Sequence, residues 1–227
     1  MSLILQIETA TASCSVALAK DGKPLALKEI NLRNIHAEVI TVFIEELLNT
    51  SAVLYNDLDA ISVSCGPGSY TGLRIGISTA KGVCFALDKP LIAIETLEAM
   101  AAGVRDNNGY NALEKALLCP MIDARRMEVF TALFDSEGNR IAPTKAEIVT
   151  AQSFEDILER NKILFFGDGS EKCKAILGEN PNARFLPGFI NSAAHLSKRA
   201  FEKFKKNDFE DVGYFEPYYL KDFIGKK

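Results

Sequence analysis

The chain has 227 residues, 48% hydrophobic and 25% charged, with a net charge of −4. This is an ordinary globular composition, with ample apolar side chains for a core and length for one large domain or two small ones. It excludes a membrane span, for which an apolar run of about 18 residues is needed, and no overall positive charge draws it to nucleic acid. Met1-Ser2-Leu3 also lacks the basic start of a signal peptide, which predicts a cytoplasmic protein.

Leu3 to Thr9 reads as a first strand and Ser13 to Ala19 as a second. Asp21-Gly22 is a hairpin signal, and Pro24 to Ile30 returns as a third strand. A helix from about Ile35 to Asn49 places Ile40, Phe43, Ile44, Leu47 and Leu48 on one face. Ala60 to Ser64 is a fourth strand, and it runs into Cys65-Gly66-Pro67-Gly68-Ser69-Tyr70-Thr71-Gly72 and an apolar, glycine-dotted helix to Leu87. Gly66 and Gly68 can take positive φ and crowd backbone N–H groups together, while Ser69 or Thr71 can cap the helix. Such a helix start offers donors to an anion. The spacing is not that of a P-loop, and a tight strand-to-helix turn explains the glycines equally well. Pro90 to Ile94 is a fifth strand, and Thr96 to about Val104 a short helix.

Arg105 to Gly109 reads as a linker, after which the order starts again. Ala116 to Asp123 and Glu128 to Phe134 are paired strands, Arg140 to Val149 is a third, and a helix near Ser153 to Glu159 follows. Then come a strand at Ile163 to Phe166, a helix after Gly169 and a short strand at Arg184 to Leu186. Each half ends its first strand with an acid after isoleucine, at Ile7-Glu8 and Ile122-Asp123. The pattern predicts two copies of one α/β unit, each a mixed five-stranded sheet with helices, at residues 1–104 and 105–227. A tail from about residue 208 is expected to pack back on the first.

The cysteines at 14, 65, 84, 119 and 173 are scattered through apolar runs without CxxC spacing, so free buried thiols fit best, with a zinc site the alternative. The basic cluster Lys198, Arg199, Lys203, Lys205 and Lys206 reads as the solvated face and last turn of a helix, or as an RNA contact. His36, in the first turn of its helix, is a packing or hydrogen-bonding residue or, less simply, a base. Gly72, Gly76, Thr79, Ala80 and Val83 form a stripe of small residues that suits a close neighbour, either the chain's own sheet or another helix.

Ile4 to Ala10 with Cys14 to Leu18, His36-Ala37-Glu38, the glycine loop, Ala80-Lys81-Gly82, Pro90-Leu91-Ile92 and Glu216-Pro217-Tyr218-Tyr219-Leu220 together resemble the TsaB (YeaZ) family, in order and over nearly the whole chain. The resemblance implies a duplicated actin/sugar-kinase/Hsp70-like (RNase H-like) fold. It implies a noncatalytic subunit that supports a TsaD-like partner in transferring threonylcarbamoyl to tRNA adenosine. A TsaE-like ATPase and the tRNA would be met through that complex, and a homodimer would form when the partner is absent. Carried over, the partner-binding residues are His36, Ile40, Phe43, Leu47, Tyr70, Gly72, Ile75, Gly76, Thr79 and Val83. Candidate nucleotide contacts are Glu8, Thr9, Ser13, Gly66, Gly68 and Ser69, for weak ATP or ADP binding and no other cofactor. Where the catalytic relative opens a helix with two histidines four residues apart, this chain has Thr96 and Met100, so neither a metal site nor catalytic residues are expected. The same absence argues against a metalloprotease. The alternative is an independent kinase or ATPase of the same superfold.

Overall fold

The computed structural model describes residues 1–106 and 116–221; Asn107 to Gly109 of the expected linker lie outside them. Backbone contacts divide the chain into two compact units, Met1–Ala99 with Asn191–Tyr219, and Met100–Ile190 with Leu220–Lys227.

In the first unit, β1 (Leu3–Glu8), β2 (Ser13–Lys20) and β3 (Lys23–Asn31) form an antiparallel meander. Asp21 and Gly22 turn the second hairpin with φ of 50° and 80°, the left-handed pair that such a two-residue turn requires. Helix α1 (His36–Thr50) crosses to β4 (Ala60–Gly66), which pairs parallel with β1. Helix α2 (Tyr70–Leu87) leads to β5 (Leu91–Glu95), parallel to β4, and α3 (Thr96–Arg105) follows. The strand order is β3-β2-β1-β4-β5.

β1 is buried on both faces, and its alternation divides the core. Leu5 and Ile7 pack with Ile40, Ile44, Leu47, Leu48, Ile77 and Ala80 beneath α1 and α2. Ile4 packs on the other face with Ala193, Leu196 and Ala200. Those three residues come from a short 3-10 turn (Ala193–Leu196) and the last helix of the chain, Ser197–Lys205. The chain therefore rejoins the first unit at Asn191, earlier than the tail expected at about 208, and the boundary near 104 moves to Ala99. The cause is a polar seam. Ala193 N donates to Ser15 Oγ at 2.8 Å, Ser192 Oγ to Glu29 at 2.9 Å, and the Gln6 side-chain amide lies 2.9 Å from Ser197 Oγ.

The second unit repeats the plan. Strands β6 (Leu117–Asp123), β7 (Glu128–Phe134) and β8 (Arg140–Ile148) form the meander, and β9 (Ile163–Phe166) and β10 (Ala183–Leu186) add in parallel. The order is β10-β9-β6-β7-β8. Its helices are shorter: α4 (Glu155–Leu158), where a longer one was expected, and α5 (Ser170–Leu177). The helix Ser197–Lys205 is α6 in chain order.

The basic cluster on α6 is not uniformly solvated. Arg199 pairs with Glu98 at 2.9 Å, and Lys203 donates to Ala93 O at 3.1 Å beside Asp208 and Glu210. Among the described residues no helix is long and apolar enough to cross a membrane.

Candidate functional site

The glycine loop between β4 and α2 is closed onto its own chain. Ser69 caps α2, its Oγ accepting from Gly72 N at 3.2 Å, while Ser69 N donates to Ala10 O at 2.7 Å. Gly66 N donates to Thr96 Oγ1 at 3.2 Å. A Cβ at Gly68 would strike Ala10 O, and one at Gly66, whose φ is +122°, would strike Tyr218 O. Tyr218 N in turn donates to Cys65 O at 2.8 Å, so the C-terminal segment lies against the loop. The N–H groups of Gly66, Ser69 and Gly72, which a phosphate would need, are given to the protein itself. In this unit Gly66 and Gly68 serve close approach and Ser69 caps α2.

The same holds along α2. A Cβ at Gly72 would collide with Thr9 O, and one at Gly76 with Thr9 Oγ1, which itself donates to Gly72 O at 2.8 Å. Gly72 and Gly76 therefore face the end of β1 and not the outer side of α2. Ile40 and Leu47 lie at 2% and 1% exposure inside the core under α1. His36 is buried, with Nε2 2.9 Å from Thr11 O, and holds the β1–β2 turn. Phe43, Tyr70, Ile75, Thr79 and Val83 are half-buried and reach the surface.

α1 packs beside α2, and the outer sides of the two helices carry exposed apolar residues that are not among the expected partner contacts. Phe85 is 86% exposed and Val42 47%, and a Cβ at Gly82 would meet nothing within 4 Å. The signal for Phe85 was present: it falls off the buried line Leu73, Ile77, Ala80 and Cys84, on the solvent side of an amphipathic helix.

Glu8 and Ser13 are fully enclosed. Glu8 Oε1 accepts from Ala10 N at 2.6 Å, and burial pushes the carboxyl up from 4.5 to about 7, a rise the Ala10 N–H only partly offsets. The Ser64 hydroxyl and Asn191 amide also favour the ionised form. Yet Glu8 Oε2, Ser13 Oγ, Ser64 Oγ and Asn191 Nδ2 close no hydrogen bond of normal geometry. A carboxyl of this kind can hold or release a proton near neutrality.

A family model described as TsaD, tRNA N6-adenosine threonylcarbamoyltransferase, matches residues 31–213. The chain is 30% identical over 225 residues to the Bacillus subtilis tRNA threonylcarbamoyladenosine biosynthesis protein TsaB, covering 96% of this chain and 93% of that one. The chain belongs to the TsaB (YeaZ) family. The Escherichia coli TsaB is 39% identical over 138 residues, 61% of this chain and 57% of that protein. YeaZ from Pseudomonas aeruginosa superposes with a TM-score of 0.81 at 24% identity, over 97% of this chain and 100% of that one. An activator of the 2-hydroxyisocaproyl-CoA dehydratase from Clostridium difficile, solved with bound ADPNP, shares the fold at a TM-score of 0.53 and 10% identity, over 91% of this chain and 97% of that one. The duplicated actin-like α/β fold of the family is thus the fold of this chain.

In this TsaB-family chain Thr96 is buried, with its hydroxyl accepting from Gly66 N, and Met100 is buried at 1% exposure, with its terminal methyl near Gly167. Among the described residues no group of three histidine, cysteine, aspartate or glutamate side chains is arranged to hold a metal ion.

Proposed function

We propose that this chain is a noncatalytic subunit that docks a TsaD-like transferase on the outer face of α1 and α2 and supports transfer of threonylcarbamoyl to tRNA adenosine. The reaction class comes from the TsaB relatives and the TsaD family model. The observation that carries the docking face is Phe85, 86% exposed on a helix whose Gly82 leaves room for a close approach. A bare aromatic beside a small residue is the composition of an interface hot spot. The subunit role is further supported by Thr96 and Met100, which cannot supply the paired imidazoles of the catalytic relative.

A TsaE-like ATPase and the tRNA meet the chain within that complex, and without the transferase the same face pairs two copies. Its compartment is the reducing cytoplasm, where the five free cysteines stay thiols. No cofactor belongs to it beyond weakly held ATP or ADP, and the closed glycine loop gives an independent kinase or ATPase no support.

The test mixes the purified chain with the TsaD-like protein of the same cell. Coelution on size exclusion, tRNA modification that needs both proteins, and no ATP hydrolysis by the chain alone are expected. Modification by the transferase without this chain, or robust hydrolysis by the chain alone, overturns the proposal.

A further inference from the structure

The tip of the β6–β7 hairpin has a backbone that its residues do not favour. Arg125 and Arg126 both take left-handed conformations, with φ of 71° and 48°. Ala124 N donates to Glu128 O and Glu128 N to Arg125 O, each at 3.1 Å, and Arg125 N to Asp123 Oδ1 at 2.9 Å, so the turn is well closed. Left-handed backbone costs least at Gly, Asn and Asp. The β2–β3 hairpin of this chain meets it with Asp21-Gly22. Here two long, charged side chains occupy left-handed positions instead.

The charges around the tip are arranged to leave both guanidiniums available. Asp123 is paired with Lys172, and Glu128 with Lys221 at 2.7 Å. Asp168 accepts from Asp123 N at 3.0 Å. Arg125 and Arg126 are exposed, and among the described residues neither guanidinium forms an ion pair or hydrogen bond. The cluster sets Arg125, Arg126, Lys172 and Lys221 against Asp123, Glu128 and Asp168, a local excess of positive charge in a chain of net charge −4.

We propose that Arg125 and Arg126 form a phosphate-recognising site that takes the backbone of an RNA, an inference that rests on the tRNA reading above. Guanidinium forks match phosphate oxygens in geometry and hold their charge at every working pH. Free nucleotide offers the same oxyanion, but a convex hairpin tip encloses no base, whereas backbone phosphates of a folded RNA can meet an exposed tip.

The experiment uses the full-length chain at low ionic strength with two probes, a fluorescently labelled tRNA transcript and a fluorescent ATP analogue. The double variant Arg125→Asn, Arg126→Gly relieves the turn and removes both charges. Its melting temperature should rise by about 3 °C, while tRNA affinity falls about tenfold. The dependence of log affinity on log salt should flatten by roughly 1.4 to 1.8, the share of two phosphate contacts. Arg125→Lys with Arg126→Lys should keep most of that salt dependence, and a Gln pair at both positions, which keeps long polar side chains without their charge, repeats the loss if the first variant fails to fold.

Reduced affinity for the ATP analogue with unchanged tRNA binding overturns the RNA assignment. Undetectable tRNA binding by the wild type, or unchanged salt dependence in folded variants, overturns the site altogether. Because binding is read on the chain alone, failure to pair with a transferase would sink the subunit proposal and leave this result standing.

Discussion

In the first unit β1 ends at Glu8, whose carboxyl is wholly buried; in the second β6 ends at Asp123, whose side chain is 37% exposed and paired with Lys172. The backbone around the two acids is built alike. After each parallel strand a glycine loop presses onto the end of the first strand: Gly68 against Ala10 and Gly72 against Thr9 in one unit, Gly167 against Met121 and Gly169 against Ile122 in the other. What differs is the cover. The first loop opens an 18-residue helix and Asn191 sits over Glu8, while the second opens an 8-residue helix. One topology thus gives a sealed, proton-holding end and a wet, charged end. Close backbone approach is a property of the topology, and burial a property of what lies on top.

The largest effect expected comes from breaking the close approach itself. In Gly72→Leu the new side chain meets a carbonyl, Thr9 O, that cannot swing aside. The cost should be about 4 kcal/mol, and melting should fall by roughly 8–16 °C for a chain of this size. Gly169→Ala, whose Cβ would sit 2.9 Å from Ile122 C, should cost less, about 1–2 kcal/mol. Equal melting of Gly72→Leu and wild type would remove the packing role assigned to this glycine.

Next is the proton. Glu8 titrates at about 7 when folded against 4.5 ordinarily, so at low pH both states hold the proton and stability is complete. As pH rises past 4.5 the unfolded chain releases its proton first, and stability falls until about pH 7, a loss of about 3 kcal/mol. Glu8→Gln should flatten this slope and melt higher than wild type at pH 8. Asp123→Asn, on the exposed counterpart, should change stability by less than about 1 kcal/mol. A slope unchanged in Glu8→Gln would place the ionised form of Glu8 in the folded protein.

Much of this was legible beforehand, and the misses have a common cause. The alternation of β1, the Asp21-Gly22 turn and the strand–loop–helix order follow from local periodicity, and both sheets appear as read. The stripe Gly72 and Gly76 was legible as a close contact, but its neighbour was not: a glycine row fits the end of β1 as well as a partner helix, and only the Thr9 geometry separates them. The closed loop depends on Ala10 and Tyr218, and the burial of Glu8 on Asn191, all distant in sequence. Lys203 looked solvated because its acceptor, Ala93 O, is a backbone group on another element.

On the proposed docking face the comparison is between a residue that packs inward and one that is almost bare, Phe85. Phe85→Ala should leave melting within a degree or two, since the ring is 86% exposed. Pairing with the transferase should weaken by about 2 kcal/mol, more than tenfold. A variant that pairs as well as wild type would move the interface off this face of α2.

The smallest expected change is also the one that reads Gly82 against Gly72 and Gly76. All lie on α2, but a Cβ at Gly82 meets nothing within 4 Å, so Gly82→Ala has no clash in the isolated chain. Alanine also restores helix propensity, so the variant alone should be more stable by about 1 kcal/mol, a rise of roughly 2–4 °C. If a partner helix comes close at this point, the same methyl group stands in the contact, and pairing should weaken while the chain itself melts higher. That opposition of sign separates an interface glycine from an idle one. A rise in melting with pairing unchanged places the partner away from Gly82, and a fall in melting means that α2 packs differently from the arrangement described.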